Sequence, residues 1–359
     1  MRTAIVTGSG GLVGSESVRA LVEAGFRVIG LENDTRAQLF GASASTAHQT
    51  QRLVAAYPEF TSKSVDIRDC AGVERIFLDH ADELELVVHT AAQPSHDWAA
   101  SDPQADFAIN ANGTLNLLEA TRLHAPAATF VYTSTNKVYG DRPNFLPLVE
   151  LETRLELPED HPWHGGIDTS MPIDTCLHSL FGASKASADL LVQEYGRYFG
   201  MPTVSFRCGC LTGPAHAGTE LHGFLSYLMR CAITSTPYTV FGYDGKQVRD
   251  NLSSFDLVRA FLLFHAAPRA GAVYNMGGGR GSSCSMLEAI AASEEIAGRE
   301  LDWTMSTEAR IGDHRWWISD LAAFQADYPT WAPTFDTELL LRAIHDANVE
   351  RWTGPAVAA

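Results

Sequence analysis

The residues Thr7-Gly8-Ser9-Gly10-Gly11-Leu12-Val13-Gly14 carry the plainest chemical signal in this chain. Glycines at 8, 11 and 14 permit a tight turn, the approach of backbone N–H groups to a pyrophosphate, and close packing of a following helix on a strand. Glu32 ends the next apolar run 18 residues after Gly14, where a carboxylate can accept both hydroxyls of a ribose. The pattern predicts a dinucleotide site formed by Gly8, Gly11, Leu12, Val13, Gly14, Glu32 and its neighbour Asn33. A carboxylate at 32 would repel a 2′-phosphate, which favours NAD over NADP. Arg36 is the counter-signal, because a nearby arginine can pair with such a phosphate; its plainer reading is a solvated residue at a helix start. Asp66 and Ile67 suit an adenine contact, with an ordinary strand-end aspartate as the alternative.

The elements that must position these groups follow from periodicity. Thr3–Val6, Arg27–Leu31, Ser64–Ile67, Leu86–His89, Thr129–Thr133 and Thr203–Arg207 read as strands. Ser15–Glu23, Gly72–Phe77, Phe107–Arg122 and Ser184–Tyr198 read as helices, the last closed by Gly200. This alternation predicts an α/β fold, a Rossmann-type doubly wound parallel sheet. Residues 141–178 are rich in Pro, Asp, Glu and Trp and show no period, as in a functional covering loop. From Cys210 onward, helical patterns over Ser254–His265, Met286–Ala297 and Thr337–Ala347 mix with short strands such as Tyr238–Phe241. We therefore expect a dinucleotide-binding domain over 1–209 and a smaller α/β substrate lobe over 210–359, interleaved with the first.

The chain of 359 residues has 26 Lys+Arg against 43 Asp+Glu, a net charge of −17. That balance, without a basic stripe, argues against nucleic acid as a partner. There is no apolar leader pattern and no apolar run of membrane-spanning length, so a cytoplasmic protein without a membrane partner is expected. Six cysteines are scattered with no C-x-x-C pair, which fits free thiols in a reducing compartment. His161-Pro162-Trp163-His164 has no third ligand near it in sequence, so no metal site is expected.

Further segments carry a family likeness. With Gly8-x-x-Gly11-x-x-Gly14, His89-Thr90-Ala91-Ala92, Tyr132-Thr133-Ser134-Thr135, Val138-Tyr139-Gly140 and Ser184-Lys185 in this order, the chain resembles the extended short-chain dehydrogenase/reductase family of nucleotide-sugar epimerases and dehydratases. Ser134-Thr135-Asn136-Lys137-Val138-Tyr139-Gly140-Asp141, Phe181-Gly182-Ala183-Ser184-Lys185 and Gly245-Lys246-Gln247-Val248-Arg249-Asp250-Asn251 are similar to the CDP-paratose 2-epimerase branch. The resemblance implies a retained NAD that takes a hydride from a sugar carbon and returns it to the other face of the resulting ketone. It also implies cofactor contacts from Ala91 and Ala92, Thr135 as the hydroxyl that bonds the reacting oxygen, and Lys185 as the ligand of the nicotinamide ribose.

One departure bears on the chemistry. In the family a tyrosine four residues before the lysine takes the hydroxyl proton, whereas Phe181 stands there in this chain. A substitute base is therefore required, or no redox chemistry occurs. Lys137 lies two residues beyond Thr135 and hence on the same side of an extended strand end. Its ordinary value of about 10.4 would have to fall by about 3 units for work near neutral pH. His178 and Cys176 are the other candidates. Family 4,6-dehydratases carry Asp-Glu where this chain has Asn136-Lys137, which argues against dehydration.

On the substrate side, Arg249 matches a family arginine that clamps the sugar diphosphate, and Arg310 is a second candidate for that role. Cys210 takes the place of a family asparagine that holds the diphosphate. Gln93, Ser95, His96, Asn136, His216 and His222 are candidate substrate contacts. Phe107–Arg122 and Ser184–Tyr198 correspond to the helices paired across the family's homodimer interface, although Leu190, Leu191, Tyr195 and Tyr198 could equally face this chain's own core. The reading is an NAD-dependent nucleotide-sugar epimerase with C2 favoured. Its rivals are inversion at C4, a net dehydrogenase, and a non-catalytic dinucleotide-binding protein.

Overall fold

The structure, a computed structural model, describes residues 2–216, 218–219, 223–307 and 312–353. Seven strands, β1 (Thr3–Thr7), β2 (Arg27–Leu31), β3 (Phe60–Lys63), β4 (Leu84–His89), β5 (Thr129–Thr135), β6 (Thr203–Cys208) and β7 (Ala272–Met276), form one parallel sheet. Their spatial order is β7-β6-β5-β4-β1-β2-β3. The order reverses between β1 and β4, so a crevice opens beyond the carboxyl ends of those strands, where such sheets bind ligands. Alternate residues feed two cores. Ala4, Val6, Val28, Val131 and Phe206 face α1 (Leu12–Glu23) and the helix Ser254–Ala266. Ile5, Ile29, Val87, Phe130 and Tyr132 face the helices Cys70–His80, α3 (Gly113–His124) and α4 (Leu180–Phe199). Between β2 and β3 lies α2 (Ala47–Ala56).

The third strand is a correction to the sequence reading. It occupies Phe60–Lys63 rather than 64–67, because Phe60 pairs with Val28 and buries its ring. Asp66 instead sits in a turn, accepting from the backbone N–H of Arg68 at 2.8 Å. Three predicted helices begin earlier than read, at Leu12, Cys70 and Leu180, whereas those at Ser254, Met286 and Thr337 begin as read. At the start of α4 Ser179 Oγ accepts from the Gly182 N–H at 3.1 Å, and the helix ends where Gly200 adopts φ +68°.

The C-terminal part builds a separate core around Leu228, Met229, Ile233, Ile290, Leu341 and Ile344, the last two from α5 (Thr337–Thr353). The strand Val248–Ser253 joins the lobes, pairing with Cys210–Thr212 and Trp316–Trp317 in parallel and with Ser283–Ser285 antiparallel. Residues 141–178 hold only the two-residue strands Val149–Glu150 and Leu155–Glu156 and short turns. They are fastened by Leu157, Ile167 and Met171, which cluster with Tyr139, Trp316 and Trp317.

A buried ion pair sets α4 on the sheet. Arg207 of β6 donates from Nη2 to Asp189 Oδ1 at 2.7 Å, and both are almost fully buried. Ser134 Oγ and Gln193 Nε2 donate to the same carboxylate, each at 2.6 Å. Arg207 Nη1 also donates to Tyr139 Oη at 3.0 Å, which in turn donates to Asn275 Oδ1 at 2.8 Å. On the opposite flank, Asn110 Nδ2 donates to Asp106 Oδ1 at 3.0 Å and to Ser184 Oγ at 3.1 Å.

Removing one member of a buried pair strands the other, at a cost of about 3–5 kcal/mol. Arg207→Met should lower the unfolding free energy by that amount in urea titration. Arg19→Ala, which breaks a surface pair with Glu16 and Glu23, should cost under about 1 kcal/mol. In the glycine turn, a Cβ at Gly14 would collide with the Gly8 carbonyl oxygen. Gly14→Ala should displace the turn and lose bound NAD, read by mass spectrometry of the small molecules released on denaturation.

Candidate active site

A cavity of about 850 Å³ opens at the carboxyl ends of β1, β4, β5 and β6 and runs between the sheet and the C-terminal lobe. At one end it is lined by Gly8, Gly11, Leu12, Val13, Glu32, Asn33, Asp66, Ile67, Ala91 and Ala92. Gly8 takes φ +65°, and a Cβ there would lie 2.9 Å from the backbone of Ala91, so only glycine lets the turns after β1 and β4 meet. Gly11 caps α1 without a side-chain hydrogen bond, which leaves the first N–H groups of the helix for an anionic ligand. Glu32 accepts from the Gly10 N–H at 3.0 Å and from the Asp34 N–H at 2.8 Å, which fixes its carboxylate beside the turn. A bare cradle of backbone donors beside a fixed carboxylate fits a dinucleotide. Gly14 is not part of the lining; it is the close-packing glycine beneath it. Asp66 is held below the usual carboxylate range by the Arg68 guanidinium and also accepts from Asn33 Nδ2 at 3.0 Å. Burial lowers Arg36, on the same wall, against the pull of Glu32.

The other end of the cavity gathers Thr135, Asn136, Lys137, Phe181, Lys185, His96, Cys210, His216 and Arg249. Phe181, Lys185 and Asp189 are four residues apart on α4, so the buried pair with Arg207 sets the two lining residues in place. Lys185 Nζ donates to the Thr133 carbonyl at 3.0 Å and lies 4.4 Å from the centre of the Tyr132 ring. Burial pushes it down to about 8. Lys137 sits in the short turn that ends β5, where its N–H donates to Thr135 Oγ1 at 3.2 Å. Gly182 allows α4 to close on that turn, since a Cβ there would lie 2.9 Å from the Lys137 carbonyl oxygen.

Lys137 Nζ donates to the Gly312 carbonyl at 2.8 Å and lies 3.7 Å from Asp313 Oδ1. Burial pushes the amine down to about 8, with Asp313 resisting and Arg249 adding to the fall. Arg249 Nη2 is 3.8 Å from the same Asp313 oxygen. His96 touches Phe181 edge-on, with ring centres 4.9 Å apart, and its Nδ1 is 2.7 Å from Ser179 Oγ. Burial and the neighbouring Lys137 push His96 down to about 4, so its ring is neutral at physiological pH. Burial raises the Cys210 thiol to about 11, which keeps it protonated.

Four predicted site residues stand elsewhere. His178 Nε2 is hydrogen bonded to the Val138 carbonyl at 2.8 Å, and Cys176 Sγ lies 3.4 Å from the Tyr139 carbonyl; neither lines the cavity. They stitch the covering segment to the turn behind Lys137. Gln93 is fully buried, donating to Asp106 Oδ1 at 2.7 Å and to the Ser95 carbonyl at 2.8 Å. Ser95 accepts from the Trp98 N–H at 3.2 Å as a helix cap. Both shape the loop that carries His96. His222 and Arg310 lie outside the described residues. The sequence reading missed Asp313, which stands between Lys137 and Arg249. Its signal was the motif Arg310-Ile311-Gly312-Asp313-His314, in which only the arginine was given a role. Among the described residues no group of three or more His, Cys, Asp or Glu is placed to hold a metal ion, and no helix is long and apolar enough to cross a membrane.

Residues 4–277 match the model of the NAD dependent epimerase/dehydratase family. The CDP-paratose 2-epimerase of Salmonella typhi is 29% identical over 95% of this chain and 98% of its own length. A dTDP-glucose 4,6-dehydratase of Xanthomonas campestris pv. campestris (strain B100) is 28% identical over 94% of this chain and 90% of its own. The crystal structure of the UDP-glucose 4-epimerase of Thermus thermophilus in complex with NAD superposes with a TM-score of 0.77, at 25% identity, over 99% of this chain and 100% of that one. Family match and cradle agree: this chain belongs to the NAD dependent epimerase/dehydratase family, and NAD is its cofactor.

Proposed function

We propose that this protein is an epimerase that inverts C2 of a CDP-linked sugar through a transient ketone, with Lys137 as the proton-transfer group. The observation that carries this reading is the buried Lys137 amine, lowered to about 8, in the same cavity as Thr135, Lys185 and Arg249 while Phe181 offers no hydroxyl. Bound NAD⁺ supplies the hydride acceptor and, once reduced, the donor. Neutral Lys137 takes the proton of the sugar hydroxyl as the carbon gives up its hydride. It gives that proton back when the opposite face of the ketone is reduced, so no atom is gained or lost. Thr135 bonds the reacting oxygen, Lys185 holds the nicotinamide ribose, and Arg249 pairs with the sugar diphosphate in a fork suited to that group. His96, held neutral by burial, offers its other ring nitrogen to a sugar hydroxyl.

The preference for C2 and for a CDP-linked substrate rests on the likeness to the Salmonella typhi 2-epimerase. Asn136-Lys137, where dehydratases of the family carry Asp-Glu, supports epimerisation over dehydration. Leu190, Tyr198 and Phe199 on α4, with Leu123 on α3 and Phe107 just before it, are exposed on one flank. That flank supports a homodimer built on these two helices. We place the enzyme in the cytoplasm, in carbohydrate biosynthesis.

The test is proton NMR of CDP-, dTDP- and UDP-linked sugars incubated with the enzyme, using substrate deuterated at C2. Inversion at C2 with the deuterium kept and no free NADH is the expected result. Inversion at C4, or accumulation of NADH, would replace this reading with one of its rivals. A base is active when unprotonated, so the rate should rise with pH through about 8. Lys137→Ala should keep its NAD, lose that rise, and turn over at least about 100-fold more slowly, the usual worth of general base catalysis.

A further inference from the structure

Beyond the glycine turn the cavity reaches a rim that none of these roles uses. On the cofactor side α2 brings Arg52 to it, and from the other lobe α5 brings Ala347, Asn348 and Arg351. The α5 helix is fixed where it stands: Leu341 and Ile344 are buried in the small-lobe core, and Asn348 Nδ2 donates to the Pro214 carbonyl at 3.0 Å. Arg351 Nη2 donates to Asn348 Oδ1 at 2.8 Å, which ties the guanidinium to that anchored asparagine. Arg230, on the helix Phe224–Thr234, is close enough that it and Arg52 add to burial in lowering Arg351 below the usual guanidinium value.

Among the described residues no carboxylate pairs with Arg52, Arg230 or Arg351. The chain as a whole holds 43 acidic residues against 26 basic ones. Among the described residues, three guanidinium groups thus gather at this rim of an acidic chain, an arrangement that favours an anion. The helix that carries Arg52 stands against the glycine turn, since a Cβ at Gly10 would lie 2.6 Å from Thr50 Oγ1 and 3.0 Å from Glu32 Oε2, so this rim borders the ligand held by that turn.

We propose that Arg52 and Arg351 form a two-lobed clasp for a phosphate of the adenine dinucleotide, closing from α2 on one side and from α5 on the other. The clasp depends on the cofactor site alone, not on which sugar or carbon is processed. It adds permanently charged donors to the neutral backbone cradle at α1. It also couples cofactor retention to the position of the C-terminal lobe.

The test uses full-length protein stripped of cofactor and reads NAD⁺ affinity calorimetrically at several KCl concentrations, with no substrate present. Arg52→Ala and Arg351→Ala should each weaken NAD⁺ by about tenfold, the double variant more, and Arg351→Lys less than the alanine variant. The salt dependence of NAD⁺ binding should flatten in the double variant. Unchanged NAD⁺ affinity and salt slope in a double variant with wild-type melting temperature would overturn the proposal. NADP⁺ and CDP distinguish the sources of phosphate. A wild-type preference for NADP⁺ that the double variant abolishes would make the clasp a 2′-phosphate reader and confirm its ligand class. Loss of CDP affinity with NAD⁺ affinity kept would overturn the assignment to the cofactor.

Discussion

The ion pair between Arg207 and Asp189 decides where the side chains at one end of the cavity stand. It lies out of water, and Ser134, Gln193 and Tyr139 complete its hydrogen bonds. A buried pair is tolerable only when its geometry is good and its remaining polar atoms are met, and here they are. Because Asp189 is one turn beyond Lys185 and two beyond Phe181, fixing its carboxylate fixes both residues at the cavity wall. The same network reaches Tyr139, at the end of the turn that carries Lys137. Two amines in the site, from two different elements, are thus held by one cluster of charge. Each is lowered for the same reason, loss of water around an ammonium.

The legible part of the fold was the part with a period. Alternating apolar runs located five of the seven sheet strands, and the glycine spacing named the turn after β1. The seventh strand, Ala272–Met276, was not read, since five residues among helical patterns carry too little signal and their partner, β6, lies far back in the chain. The third strand slipped by four residues because Val65 and Ile67 imitate the alternation that Phe60 begins. In the covering segment, apolar residues such as Ile167 and Met171 pack singly against Trp316 and Trp317. No periodic pattern could announce that.

The site divides in the same way. Cofactor residues follow one another along β1, β2 and β4, so local sequence placed nearly all of them on the cavity. The end around Lys137 is assembled from distant loops. Proximity to Lys185 in sequence suggested His178 and Cys176, yet both bond carbonyls of the turn behind Lys137, at Val138 and Tyr139, and it is His96 that touches Phe181. Asp313 was out of reach of such reasoning, because its place depends on a loop 176 residues from Lys137 in the chain.

The placement of β7 also governs how the molecule comes to exist. This strand completes the large sheet by covering β6, yet it is made only after the strands Cys210–Thr212, Tyr238–Phe241 and Val248–Ser253 and the helix Phe224–Thr234 of the C-terminal lobe have emerged. While the chain is being synthesised, the edge of β6 stays open, and an open edge of apolar strand invites wrong pairing. The two lobes are therefore one folding unit sharing a late closing step, and a fragment ending near residue 209 would keep the glycine turn but display a sticky border.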